Sequence, residues 1–271
     1  MALHVLDEAN RCLGCKKPMC QEGCPIHTNI PEVIRLLKAN QMDEAGRMLF
    51  ENNPLTTVCA LVCNHENQCE GHCVRNRMPS HDPVHFSIIE DYISTTYANK
   101  MTAGPAPKNG MKAAVVGSGP AGLTIAVLLA RWGYDVTIFD ARDKIGGVMR
   151  YGIPKYRLPR PILDAEIERI RATGVTIVCS REVTDLEKER REGKFDAVFL
   201  AVGAHLARRS YVPAGDASRV MDAVSVLKEV ADDEKPMLGR RVVVYGGGNT
   251  AMDVARTMRR MGAEPLVVYR R

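Results

Sequence analysis

Apolar residues in the first hundred positions recur at helical spacing, and no run alternates in the way that a strand does. Residues 31–40 place four branched aliphatic side chains on one face, and Pro31 suits the first turn of a helix. Similar spacing recurs over residues 43–51 and 85–97. We therefore predict an N-terminal part built from helices.

Beyond a stretch rich in glycine and proline at residues 101–110, the pattern changes. Short apolar runs alternate with amphipathic segments, which is typical of strands and helices around a parallel sheet. The predicted strands cover residues 112–116, 135–139, 175–179, 196–201, 241–245 and 265–269. The predicted helices cover residues 120–132, 161–173 and 249–261.

These elements predict an α/β protein of three parts. An α-helical domain over residues 1–100 is followed by a Rossmann-like domain over residues 101–235, and a second Rossmann-like domain begins within residues 236–271. The sequence stops after one strand–helix–strand unit of that last domain. We therefore expect it to be a fragment of a longer protein.

Eight of the nine cysteines lie in two blocks of the helical part. The blocks read Cys12-x2-Cys15-x4-Cys20-x3-Cys24-Pro25 and Cys59-x3-Cys63-x5-Cys69-x3-Cys73. Thiols at this density indicate disulfides, a zinc site or iron–sulfur clusters. Residues 1–11 carry charges and lack an apolar segment, so we expect no signal peptide and a cytoplasmic location. Disulfides are rare in that compartment, which favours a metal site.

Zinc sites with four cysteines commonly use paired Cys-x2-Cys units, whereas the gaps here are unequal and one block ends in Cys-Pro. Two-cluster ferredoxins share that ending, and in them the fourth cysteine of a block binds the other cluster. The pattern predicts two ligand groups: Cys12, Cys15, Cys20 and Cys73 for the first cluster, and Cys24, Cys63 and Cys69 for the second. The second cluster needs one more ligand, for which the count of cysteines nominates Cys59.

A glycine-rich turn, Gly117-Ser118-Gly119-Pro120-Ala121-Gly122, joins the first predicted strand to a helix. In a dinucleotide site the first glycine permits the turn, the second admits a pyrophosphate, and the third allows close packing of helix and strand. Asp140 ends the next strand, where an acid accepts the ribose hydroxyls of an adenosine. We predict a nucleotide site here; a glycine turn without a ligand is the alternative.

A second turn of this kind, Gly246-Gly247-Gly248-Asn249-Thr250, follows the strand at residues 241–245. Its second strand ends in Arg270 and Arg271 where the first site has an acid. Guanidinium groups favour a 2′-phosphate through charge-assisted hydrogen bonds, so this site is predicted to prefer NADPH to NADH. The alternative is that both arginines are solvated charges at a strand end.

Charge and hydropathy narrow the classes of partner. The net charge of +5 arises from 37 basic and 32 acidic residues spread along the chain, which argues against a nucleic-acid partner. The longest uncharged stretch, residues 113–130, is interrupted by glycines and a proline, and is a poor candidate for a membrane span.

Six motifs occur in one order along the chain: CLGC-x4-C-x3-CP, VCNHENQCEGHC, GSGPAGL, GGVMRYGIPKYRLP, FLAVGA and GGGNTAMDVAR. Together they resemble the small (beta) subunit of NADPH-dependent glutamate synthase and its relatives. Those relatives include the large subunit of the bifurcating NADH-dependent ferredoxin:NADP oxidoreductase and the N-terminal half of dihydropyrimidine dehydrogenase. The resemblance runs from about residue 8 to the last residue.

The resemblance implies two 4Fe–4S clusters in the helical domain, FAD in the first Rossmann-like domain and NADPH in the second. It assigns to FAD the residues Gly117, Gly119, Pro120, Ala121, Gly122 and Asp140, with Gly147 and Tyr151 near the flavin. It assigns to NADPH the residues Gly246, Gly248, Asn249, Thr250, Arg270 and Arg271. It also favours Glu90 over Cys59 on the second cluster, because relatives carry a glutamate or glutamine ligand in the matching helix. In that family a longer chain completes both nucleotide-binding domains.

The implied function is electron transfer. Hydride passes from NADPH to FAD, and single electrons pass through the clusters to a redox partner such as a glutamate synthase large subunit or a ferredoxin-linked subunit. Hydride transfer needs no nucleophile, so no catalytic side chain is predicted. The alternatives are a subunit of a bifurcating transhydrogenase, and a cluster-bearing electron-transfer module without turnover of its own.

Overall fold

The computed structural model describes residues 2–100, 104–207, 219–234 and 236–270. Its N-terminal part is helical, as predicted, and contains α1 Ala2–Asn10, α2 Met19–Glu22, α3 Ile30–Lys38, α4 Met42–Asn52, α5 Thr56–Val62 and α6 Phe86–Tyr97. Single 3₁₀ turns lie at His65–Asn67, Val74–Arg77 and Ala98–Lys100. Helices α3, α4 and α6 match the three predicted segments, whereas α1, α2 and α5 were not predicted.

The helical part has its own apolar core. The buried face of α3 carries the aliphatic side chains on which its prediction rested, and it packs with Leu49 of α4 and with Ile89 and Ile93 of α6. Cys69 is buried in the same core, and Cys12, Cys20 and Cys73 pack against it. The cysteines are therefore held by apolar packing on the side that faces this core.

A parallel sheet with strand order β3-β2-β1-β4 follows. It contains β1 Lys112–Val116, β2 Asp135–Phe139, β3 Thr176–Val178 and β4 Ala197–Leu200. The connecting helices are α7 Pro120–Arg131, α8 Val148–Tyr151, α9 Arg160–Ala172 and α10 Leu186–Glu192. This is the order of one Rossmann half, which confirms the predicted α/β class. Val116 pairs with Phe139 on one side and with Leu200 on the other, so three strands end at the same edge.

The last part begins a second unit of the same kind. It contains α11 Ala223–Ala231, β5 Arg241–Tyr245, α12 Asn249–Arg260 and β6 Glu264–Val268. Strands β5 and β6 pair in parallel, and Val244, Val254 and Met258 form the centre of a small core with α11. Within the described ranges no helix is long and apolar enough to cross a lipid bilayer.

Helix α5 packs against both the helical part and the first Rossmann-like part. Leu55, which precedes it, and Val58 within it are buried in the core of the first Rossmann-like part, beside Leu163 and Ile167 of α9. The helix therefore lies inside the predicted domain 1–100 in sequence while it contributes apolar side chains to the next domain. The domain boundaries themselves stay a prediction.

Candidate functional site

The first glycine turn lies after β1, at the edge where the strands end. Gly117 has a φ of +105°, and a Cβ there would lie 2.3 Å from the carbonyl oxygen of Ala201. A Cβ on Gly122 would lie 1.9 Å from the carbonyl oxygen of Gly117. Gly119 differs, because a Cβ on it would have no neighbour closer than 4.0 Å. That open space at the N-terminus of α7 is where a dinucleotide presents its pyrophosphate.

A second glycine pair closes over this turn. The backbone N–H of Gly146 donates to the carbonyl oxygen of Ser118 at 3.1 Å. Gly147 has a φ of +51°, and a Cβ on it would lie 2.7 Å from the Cα of Gly119. The structure thus brings Gly147 against the turn formed by residues 117–122. Its assignment to the flavin stays a prediction.

Asp140 lies beside the turn, at the end of β2. Its Oδ2 accepts hydrogen bonds from the backbone N–H of Ser118 at 2.8 Å and from the Ser118 hydroxyl. Its Oδ1 accepts from the backbone N–H of Arg142 at 2.9 Å. A carboxylate offers about four acceptor positions, so one position remains for a ribose hydroxyl.

Arg142 was not predicted as a site residue, yet its surroundings indicate an anion site. Its guanidinium carbon lies 4.1 Å from the centre of the Tyr151 ring, and its Nη1 is buried without a hydrogen-bond partner in the described structure. A buried, unpaired guanidinium nitrogen is costly, and the phosphates of a dinucleotide would satisfy it. Arg142 follows Asp140 by two residues, so its position after the strand was the available signal.

Tyr151 lies next to Arg142 with its ring mostly buried. Its hydroxyl lies 3.1 Å from Oδ1 of Asp143 and 3.1 Å from the carbonyl oxygen of Lys144. Burial, and then the bond to Asp143, raise the pKa of Tyr151 to about 12. The side chain is therefore a neutral hydrogen-bond donor at physiological pH.

The first predicted ligand group surrounds a small cavity in the helical part. Five cysteines line it, together with the apolar side chains of Ile34 and Phe86: Cys12, Cys15, Cys20, Cys69 and Cys73. Burial, and then the neighbouring thiols of Cys73 and Cys12, raise the pKa of Cys20 to about 11. Bound iron would reverse this effect, because it stabilises thiolates directly.

Cys69 lies between the two predicted groups. It lines the first cavity, yet burial and the charges of Glu70, Glu90 and Cys24 raise the pKa of its thiol. The last two are predicted ligands of the second group, to which the spacing assigns Cys69. Among the residues described, no three His, Cys, Asp or Glu side chains are close enough together to hold a single metal ion.

The structure brings both nominated fourth ligands of the second group near Cys63. The Cys59 thiol accepts a hydrogen bond from Nδ2 of Asn53 at 3.1 Å. A hydrogen bond from the Cys59 thiol lowers the pKa of Cys63 to about 7 and, together with burial, raises the pKa of Cys59 itself. Cys63 is thus the more readily ionised of the two thiols.

Glu90 is 6% exposed, and no Lys or Arg pairs with its carboxylate in the described structure. Oε1 accepts from the hydroxyl of Thr56 at 2.9 Å, and the nearest basic group is Nε2 of His65, 3.9 Å from Oε2. That nitrogen is itself buried without a hydrogen-bond partner. A buried carboxylate with so little compensation suits a direct ligand to an iron ion. The choice of Glu90 over Cys59 stays a proposal.

The second glycine turn repeats the geometry of the first. Gly246 has a φ of +138°, and its N–H donates to the carbonyl oxygen of Val268 at 2.8 Å. Asn249 and Thr250 begin α12 with exposed side chains, and Gly248 precedes them in open space. Arg270 is exposed after β6, at the same edge. Arg271 lies outside the described residues.

Two family models match the chain. Residues 2–102 match the 4Fe–4S cluster domain described as domain II of dihydropyrimidine dehydrogenase, and residues 111–271 match the pyridine nucleotide-disulphide oxidoreductase family. The second match covers more than half of the chain. Both agree with the helical part and the Rossmann-like parts described above.

The chain is 34% identical to the NAD-dependent dihydropyrimidine dehydrogenase subunit PreT of Escherichia coli (strain K12), over 100% of this chain and 66% of that protein. It is also 34% identical to the NADPH-dependent glutamate synthase small chain of the same organism, over 97% of this chain and 59% of that protein. The chain thus spans less than two thirds of the length of either relative.

The solved structure of 6-hydroxypseudooxynicotine amine oxidase from Pseudomonas geniculata N1 aligns with a TM-score of 0.50 and 18% identity, over 94% of this chain and 35% of that one. At this identity the likeness concerns the fold alone. The family models and the two curated relatives confirm the resemblance drawn from the six motifs. The chain belongs to the pyridine nucleotide-disulphide oxidoreductase family, in the group that carries a 4Fe–4S domain before the nucleotide-binding part.

Proposed function

We propose that this chain is an oxidoreductase subunit that passes electrons between NADPH, FAD and two 4Fe–4S clusters, and on to a redox partner protein. One observation carries the proposal. A cavity lined by five cysteines and a glycine turn beside Arg142, whose Nη1 is buried without a hydrogen-bond partner, occur in one chain, and α5 packs on both the helical part and the first Rossmann-like core. One relative is named the glutamate synthase small chain, and that name supports a large subunit as the partner.

Each cofactor has residues suited to it. FAD would be held by Gly117, Gly119, Pro120, Ala121, Gly122, Asp140, Gly147 and Tyr151, with Arg142 added from the structure. The clusters would be held by Cys12, Cys15, Cys20 and Cys73, and by Cys24, Cys63, Cys69 and Glu90. NADPH would be held by Gly246, Gly248, Asn249, Thr250, Arg270 and Arg271.

When bound, the flavin supplies hydride exchange with nicotinamide, and it exchanges single electrons with the clusters. The chain's own residues bind and orient. Backbone N–H groups at the start of α7 would face the pyrophosphate, and Asp140 would accept from the ribose. The guanidinium of Arg142 would balance phosphate charge, and the neutral Tyr151 hydroxyl holds the segment after Gly147 against Asp143.

The test is anaerobic reconstitution of the full chain with iron, sulfide and FAD. We expect a brown protein with about eight iron atoms per chain, tightly held FAD, and reduction of an artificial acceptor by NADPH in preference to NADH. A colourless protein that binds zinc in place of iron would contradict the cluster assignment. Iron without bound FAD or NADPH oxidation would instead indicate an electron-transfer module.

A further inference from the structure

The first turn of helix α5 donates hydrogen bonds to two buried carboxylates that come from different parts of the chain. The Thr56 hydroxyl donates to Oε1 of Glu90 at 2.9 Å. The next backbone N–H groups, of Thr57 and Val58, donate to Oε1 and Oε2 of Glu166 at 2.6 and 3.3 Å. Three consecutive residues therefore join a proposed cluster ligand on α6 to a glutamate on α9 of the first Rossmann-like part.

Glu166 supplies the N-cap that α5 lacks in its own sequence. Leu55 stands at the N-cap position and offers no side-chain acceptor, so the first N–H groups of the helix need a partner from elsewhere. Glu166 is fully buried and forms an ion pair with Arg169, one turn further along α9. The Arg169 guanidinium also lies 3.3 Å from the Thr57 hydroxyl.

This pair is a costly way to anchor a helix. Burying two charges takes them out of water, and apolar residues of similar volume commonly give equal or better stability. The core around Leu55, Val58 and Ile167 is otherwise apolar. A charged pair at this point therefore calls for a role besides packing.

The opposite end of α5 leads to a proposed ligand of the second cluster. Cys59 lies within the helix, and Cys63 follows its last residue, Val62. One end of a seven-residue helix is thus bound to the first Rossmann-like part, while the other end carries a proposed cluster ligand. The first turn also holds Glu90.

We propose that Glu166 and Arg169 are positioning residues that hold α5, and Glu90 through Thr56, in a set relation to the flavin-binding part, and thereby tune the second cluster. This inference rests on the proposed function, because it requires a cluster at Cys24, Cys63, Cys69 and Glu90. Loss of the Glu166 charge leaves Arg169 uncompensated. The uncompensated positive charge of Arg169 favours reduction of the second cluster, so the reduction potential of that cluster rises.

The test uses the full chain, reconstituted anaerobically with iron and sulfide, and follows each cluster by electron paramagnetic resonance during a redox titration. Glu166→Gln is expected to raise the midpoint potential of the second cluster and to change its spectrum, while the first cluster stays as it was. Glu168→Gln is the matched control, because Glu168 lies on the same helix with its side chain 72% exposed. We expect this control to move neither cluster.

A second pair of variants covers the case in which Glu166→Gln does not fold. Thr56→Val removes only the hydroxyl that bonds Glu90, and Thr56→Ser retains it. We expect the valine variant to alter the spectrum of the second cluster and the serine variant to restore it. Unchanged spectra in both Glu166→Gln and Thr56→Val, with full iron content, would overturn the inference. A wild-type chain without clusters would instead overturn the proposed function.

Discussion

The guanidinium of Arg157 donates to the carboxylate of Asp253 at 2.7 Å, across the two Rossmann-like parts of the chain. Arg157 belongs to the segment that follows α8, and Asp253 lies on α12, directly after the second glycine turn. The Tyr156 hydroxyl donates to the carbonyl oxygen of Asp253 at 3.3 Å, and the Arg260 guanidinium lies 3.9 Å from the Tyr156 ring centre. The two Rossmann-like parts are therefore joined by direct contacts.

Removing Arg157 should destabilise the chain more than a surface substitution does. Asp253 is buried, and its Oδ1 has no hydrogen-bond partner in the described structure, so Arg157→Met leaves the carboxylate uncompensated. We expect a loss of about 2–3 kcal/mol in the free energy of unfolding, measured by urea denaturation. The double variant Arg157→Met with Asp253→Asn should recover part of this loss. A loss in the single variant no larger than in the double one would contradict the proposed role of the pair.

Two glycines of the first turn should respond differently to a methyl group. Gly122→Ala places a Cβ 1.9 Å from the Gly117 carbonyl oxygen, so we expect a loss of about 3 kcal/mol in the free energy of unfolding. Gly119→Ala meets open space in the protein and should leave the thermal midpoint close to that of the wild type. It should nevertheless weaken FAD binding about tenfold or more, measured by flavin fluorescence, because the methyl occupies the pyrophosphate position. Unaltered FAD affinity in Gly119→Ala would place the flavin elsewhere.

Arg160 holds the segment between α8 and α9. Its Nη1 donates to the carbonyl oxygens of Met149 and Leu158, and its Nη2 donates to those of Arg150 and Ile153. A lysine lacks this planar fork, so Arg160→Lys should cost about 1–2 kcal/mol in the free energy of unfolding. Arg171→Lys, on the exposed side of α9, serves as the control and should have little effect. Equal stability of both variants would show that the four carbonyl oxygens do not need the guanidinium.

The fourth ligand of the second cluster is open to a direct test. If Glu90 binds iron, Glu90→Ala should lower the iron content from about eight to about four atoms per reconstituted chain, while Cys59→Ser keeps all of it. The two variants control for each other, since each removes one candidate ligand near Cys63. The opposite pattern would assign the position to Cys59.

Nicotinamide specificity should depend on the arginines after β6. Replacing Arg270 and Arg271 together with alanine removes the predicted contacts to a 2′-phosphate, and the KM for NADPH should rise about tenfold. The KM for NADH should change little, because NADH lacks that phosphate. Steady-state kinetics with each nucleotide would measure both KM values. Equal effects on the two nucleotides would assign the arginines a different role.

Several elements followed from sequence alone. The predicted bounds of β1, β2 and β5 agree with the structure residue for residue, and α3, α4, α6, α7, α9 and α12 agree within about two residues. Their apolar patterns are local and strongly periodic, and glycine turns punctuate them. The six motifs are also short stretches of sequence, and the matching family models confirm the family that they indicate. The two ligand groups stay a prediction from spacing, and Cys69 lies between them.

The contacts that relate these parts to each other depended on the tertiary structure. The α5 sequence TTVCALV contains three β-branched residues in its first turn and has little intrinsic helix preference, so tertiary packing and the carboxylate of Glu166 stabilise the helix. Glu166 and Thr57 are 109 residues apart, and Arg157 and Asp253 are 96 apart. Such pairs leave no periodic signal, because either partner alone reads as an ordinary charged or polar residue. The sequence by itself determined the strands, six of the helices, the glycine turns and the family. Only the folded chain decided which distant residues meet, since that choice depends on how separate cores pack together.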